Sequence, residues 1–101
     1  MTEREQFEFD ELKAKIYAER GLSCEICGLH VNFYARPQLA HIVPQTERNM
    51  RLYSKKVIHH PLNLKSVCSN HCNKKAELPR HMWEAHIKKI REVIDETQRD
   101  N

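Results

Sequence analysis

Apolar positions are sparse along this chain and fall into short groups separated by polar stretches. Over residues 2–20, Phe9, Leu12 and Ile16 recur at helical spacing in a charged segment, which predicts an amphipathic helix packed on the core. Thr2 and Glu5 have the spacing of a capping box, and Gly21 marks the stop. Residues 29–38 read as loop, ending near Pro37. Two short runs, 38–43 and 62–67, read as strands. Pro44 ends the first, and Pro61 sits just before the second, where a missing N–H does no harm. About eighteen residues separate the runs, long for a hairpin connection and therefore suggestive of function. That segment is predicted as a basic loop. Ser69 caps a predicted short helix through Leu78. After Pro79, Trp83, Ile87, Ile90 and Ile94 mark one face of a C-terminal helix over 80–96, and the tail from Thr97 is polar.

Length sets a limit on how much this pattern can bury. The chain has 101 residues, with 40% apolar and 31% charged, which predicts one domain spanning 1–101 with a small core. A structural metal is a common supplement to such a core. The formal charge of +3 permits an anionic partner. No apolar run approaches the roughly 20 residues needed to span a bilayer. The polar, acidic start is not that of a signal peptide, so a cytoplasmic location is expected.

In a reducing compartment, closely spaced cysteine pairs are metal ligands more often than disulfides. Cys24-Glu25-Ile26-Cys27-Gly28 has the form of a knuckle turn, with the glycine letting the backbone fold back. Cys68 and Cys72 form the second pair. Together Cys24, Cys27, Cys68 and Cys72 have the chemistry of a closed tetrahedral zinc site, structural because it has no open position. The three-residue spacing in the second pair makes His71 a rival to Cys72, and Cys72 is the preferred ligand.

Several elements now stand in order: Cys24-x2-Cys27-Gly28, His41-Ile42-Val43-Pro44, His60-Pro61-Leu62-Asn63-Leu64 and Cys68-x3-Cys72-Asn73. Together they resemble the zinc-containing HNH endonucleases, named for a His-Asn-His motif. The resemblance covers a core of 24–75. It implies an α+β fold: a small ββα-metal centre with structural zinc and flanking N- and C-terminal helices. It implies that His41 is the general base, that Asn63 braces the loop and helps orient His41, and that Asn73 binds a catalytic Mg²⁺ or Mn²⁺. The implied activity is DNA phosphodiester hydrolysis, by nicking or double-strand cleavage. The chemistry is consistent with this, because such hydrolysis needs a base near neutral pKa and a cation for the developing charge.

One position departs from the family pattern. Most members carry Asp or His just before the general base as a metal ligand, and here that residue is Ala40. Some members of the family also carry Ala-His-Ile and take the ligand from elsewhere, and His59 or His60 is an alternative source here if the loop folds back. Without one, the chain is expected to be a non-catalytic, zinc-stapled nucleic-acid-binding module. Arg48, Arg51, Lys55, Lys56, Lys74 and Lys75 flank the motif and are the expected phosphate contacts, which confer affinity but little sequence information. DNA is the expected partner, no membrane is, and a dimer is compatible with so small a domain.

Overall fold

The computed structural model describes residues 2–21, 23–29 and 38–99. Thr2 adopts extended backbone, and its hydroxyl accepts from the Glu5 N–H at 3.1 Å, satisfying a donor that the first helical turn leaves unpaired. Helix α1 runs Glu3–Arg20 and ends at Gly21, whose φ of 82° lies in the region glycine tolerates. Ile16 is its buried residue, while Phe9 and Leu12 are half-buried. At its C-terminus the Arg20 guanidinium donates to the carbonyls of Leu64 (2.7 Å) and Pro61 (2.9 Å) and pairs with Glu25 at 3.3 Å. These contacts fasten the helix end to the second strand and to the cysteine turn.

Strand β1 (Gln38–His41) pairs antiparallel with β2 (Leu64–Val67), with Ala40 opposite Lys65 and His41 opposite Leu64. Both strands are shorter than the apolar runs suggested. Ile42 leaves the ladder, though its N–H still reaches the Asn63 carbonyl at 2.8 Å. Pro61–Asn63 form a 3₁₀ turn ahead of β2. Alternation puts Leu39 and His41 on one face of the sheet, and Ala40 on the other.

The segment between the strands is not the expected basic loop. It folds into α2 (Glu47–Tyr53) and α3 (Lys55–Ile58). Thr46 caps α2 by accepting from the Asn49 N–H at 3.1 Å. Ser54, at a φ of 80°, ends α2, and its hydroxyl accepts from the Val57 N–H at 3.4 Å to begin α3. Val57 and Ile58 enter a core with Val43, Ile87 and Ile90, against which Met50, Tyr53, Trp83 and Ile94 pack. Each large apolar side chain buried this way contributes about 1.5–3 kcal/mol. Basic side chains of the segment are left at the surface.

Helix α4 (Asn70–Ala76) begins where Ser69 accepts from the Cys72 N–H at 3.4 Å. It stops short of Leu78 because Glu77 turns extended, and the Leu78 N–H is taken by the Ile42 carbonyl at 3.0 Å. A 3₁₀ turn, Arg80–Met82, leads into α5 (Trp83–Arg99), so the final helix starts later and runs further than 80–96. A second apolar group, of Cys24, Ala40, Val67, Cys72 and Ala76, lies on the other side of the sheet. Among the described residues, no helix is long and apolar enough to cross a membrane.

Candidate metal centre and adjoining cleft

At Gly28 a φ of 78° lets the chain reverse, and the Gly28 N–H returns to the Cys24 carbonyl at 2.9 Å. The turn is docked on β2 through the Glu25 N–H and the Ser66 carbonyl (2.7 Å), and the Glu25 carboxylate accepts from the Ser66 N–H. Cys24 and Cys27 thereby face Cys68, which follows β2, and Cys72, in the first turn of α4. All four sulfurs lie within 4.8 Å of one another. Cys27 to Cys68 is 3.5 Å and Cys68 to Cys72 is 3.7 Å. A disulfide would require about 2.05 Å, and the four are free thiols. A zinc ion about 2.3 Å from each of four sulfurs sets them about 3.8 Å apart along the tetrahedron's edges. The cluster fits that ion and is positioned to hold a structural metal. His71 is exposed and outside the group.

Burial works to raise Cys24, but the backbone N–H groups of Cys27, Ile26 and Cys68 outweigh it and hold the thiol at about 6. Burial, reinforced by the neighbouring sulfurs, pushes Cys72 up to about 12. An ion binds thiolates, so its binding here would release the thiol protons.

On the opposite face of β1, His41 ends the strand and is 9% exposed. It lines a cleft of about 620 Å³ with Gln45 and Asn73, closed on the α1 side by Asp10, Lys13 and Tyr17. Lys74 joins His41 and Asn73 along the adjoining rim. His41 Nε2 is 3.1 Å from His59 Nδ1. The Phe9 ring lies nearly parallel to the His41 ring (centroids 6.2 Å, 8° between planes) and 5.0 Å from that of His59. Burial, with the neighbouring His59 adding to it, lowers the His41 pKa to about 4. His59 is lowered as well, by burial first and then by Lys55.

Asn63 is fully buried, and its amide is used up by backbone. The Oδ1 accepts from the Val43 N–H at 2.9 Å, and the Nδ2 donates to the carbonyls of Val43 (3.0 Å) and Ile58 (2.8 Å). It therefore joins the exit of β1 to the end of α3 and stands in front of β2. Ala40, the departure in the motif, is also fully buried, packed in the apolar group that includes Cys24 and Cys72. Its position faces the cysteine cluster, away from the His41 cleft.

The remaining sequence candidates are spread over the surface. His59 borders a separate depression of about 400 Å³ with Glu5, Lys55 and Lys56. His60 Nδ1 accepts from the Leu62 N–H at 3.2 Å and caps the 3₁₀ turn. Lys55 pairs with Glu5 at 2.7 Å, and Arg51 approaches Glu47 at 3.8 Å. Arg48 lies on α2 beside Trp83, and Lys75 is exposed. Lys74 is thus the one of the six basic candidates that borders the His41 cleft. Asp10, Lys13, Tyr17 and Gln45 were not among the sequence candidates. Charges along α1 look like any solvated helix face, and nothing local signals that this face closes a cleft.

No family model, curated protein or solved structure matches the chain. The site's chemistry is carried by its own residues: a four-sulfur cluster, and a buried histidine sharing a cleft with an asparagine that follows a cluster cysteine.

Proposed function

We propose that this chain is a metal-dependent endonuclease of the HNH, ββα-metal type, hydrolysing DNA phosphodiester bonds. The observation that supports it most is that His41 and Asn73, 32 residues apart in the chain, line one cleft, with Asn73 directly following the cluster cysteine Cys72. In chain order, β1 carries the histidine, the turn ahead of β2 carries the asparagine brace, and α4 carries the residue after the last cysteine.

In this proposal His41 takes the proton from the attacking water. Its depressed pKa keeps the imidazole neutral across neutral pH, and an anionic phosphate in the cleft raises it toward a better base. The required tautomer has Nε2–H donating to His59 Nδ1, which leaves His41 Nδ1 to accept the proton. Asn63 holds Val43 in place, two residues beyond His41. Lys74 and Lys13 offer charge to the phosphate at the cleft rim.

Among the described residues, the four cysteines are the one group of three or more His, Cys, Asp or Glu side chains close enough to hold an ion. A catalytic Mg²⁺ or Mn²⁺ would rest on the Asn73 amide oxygen, substrate phosphate and water, a set that a hard, strongly hydrated ion accepts. Bound there, it supplies positive charge for the phosphate and the leaving oxygen.

A second reading, a zinc-stapled nucleic-acid-binding module without hydrolysis, is favoured by the Phe9 ring lying over His41. Conversion of supercoiled plasmid at low salt, with Mg²⁺, Mn²⁺ or EDTA, separates the two. Metal-dependent nicking by the parent, absent in a folded His41→Ala variant, is the expected result. No conversion under any metal by a folded, zinc-loaded chain would remove the hydrolase and leave the binding module.

A further inference from the structure

A depression of about 550 Å³ lies between α2 and the start of α5, and nothing in the proposed hydrolysis uses it. Its wall is Trp83. The ring's inner side packs on the apolar core, and the indole N–H donates to the Leu78 carbonyl at 2.8 Å, so the plane is fixed. The Arg80 guanidinium stands 6.0 Å from the ring centroid. Arg48, His81 and the exposed Leu52 complete the lining, with Glu84 as its acidic member.

Charge here differs from charge elsewhere on the surface. Arg51 and Lys55 are close to carboxylates, whereas among the described residues neither Arg48 nor Arg80 has one within ion-pair distance. Arg48, and Arg80 whose guanidinium lies over the Trp83 ring and has no carboxylate partner, make a site for a ligand that is both planar and anionic. A nucleotide has both properties, because its base stacks on aromatic and guanidinium planes and its phosphate takes arginine. Consecutive residues line the two cavities, Gln45 the His41 cleft and Thr46 this depression.

We infer that this depression holds one nucleotide of a single-stranded nucleic acid whose neighbouring phosphate occupies the His41 cleft. The base lies against Trp83 and Arg80, and the phosphate is paired with Arg48. This rests on the nucleic-acid reading of the cleft but not on hydrolysis.

Trp83 is the sole tryptophan, so its fluorescence reports the site directly. The full chain is titrated with a short oligothymidylate at low salt, with no divalent ion added. Saturable quenching is expected, with affinity about tenfold weaker in Arg80→Ala and in Arg48→Ala. Both side chains are exposed, and unchanged melting of the variants confirms their fold. An abasic oligonucleotide of the same length, on the parent chain, is expected to quench far less. Absence of quenching overturns the site. Equal quenching by the abasic strand, or by polyglutamate, overturns base stacking. Quenching without plasmid cleavage would leave this site standing and remove the hydrolase. Cleavage without quenching would do the reverse.

Discussion

Replacing Asn63 by alanine removes an amide whose acceptor and donors are all engaged by backbone in a fully buried position. The Val43 N–H and the carbonyls of Val43 and Ile58 then face a cavity too deep for easy hydration. A typical hydrogen bond contributes about 1 kcal/mol net, but an orphaned buried group costs about 1–3 kcal/mol. With one donor and two acceptors stranded, the expected loss is about 3–5 kcal/mol, a large fraction of the roughly 5–15 kcal/mol that holds a small domain together. Asn63→Asp should be at least as damaging. It keeps an acceptor for Val43 but turns a carboxylate toward two carbonyl oxygens. Urea denaturation of zinc-saturated parent and variants, followed by far-ultraviolet circular dichroism, measures both. A loss below about 1 kcal/mol for Asn63→Ala would refute the brace and leave Asn63 free for a direct role in the cleft.

Three further outcomes follow from the geometry. Cys68→Ser should abolish stoichiometric zinc in the purified protein and lower its melting temperature to that of the chelator-treated parent, because ion binding contributes to folding. Equal zinc content in parent and variant, measured by atomic absorption, would dismiss the cluster. His41 is held at about 4 when folded, against 6.5 when unfolded, so the unfolded chain takes up the proton first as pH falls. Stability from this group is complete above about pH 6.5 and declines toward pH 4 by up to about 3 kcal/mol. His41→Gln should lessen that acid-side loss, and identical pH slopes in parent and variant would contradict the burial. Ala40→Asp, the residue that the HNH resemblance leads one to expect there, should destabilise the domain by several kcal/mol without raising cleavage, since it places a carboxylate on the cysteine-cluster side of β1. A gain in cleavage would show that position 40 reaches the cleft.

What was legible in the sequence had a local cause. The cysteine pairs, the Thr2 and Ser69 caps and the face of α5 are defined by residues close together in the chain, and the structure contains them. The helices between the strands were hidden for a physical reason. Seven and four residues are too few for an apolar stripe to repeat, and their basic residues drew attention instead. Thr46 and Ser54, both cap residues, were the available signal. The closing of the cleft by α1 had no such signal, because the Phe9–His41 contact joins residues far apart in sequence. Ala40 is instructive in another way. As one letter in a motif it reads as a missing ligand, whereas strand alternation makes it a core residue. Most of the predicted 29–38 loop lies outside the described residues.

Ser54, exposed and at the one positive φ outside glycine among the described residues, separates the chain into two portions of similar size. The first carries Cys24, Cys27 and His41, and the second carries Asn63, Cys68, Cys72 and Asn73. Neither portion contains a complete cluster or a complete cleft. A cut at Ser54 would therefore leave two pieces joined by the strand pairing, the Arg20 and Asn63 hydrogen bonds, the apolar core around Val43 and any ion the cluster holds. The two portions are joined by one covalent tether, and an ion held by the cluster would clamp them together as well as complete a site.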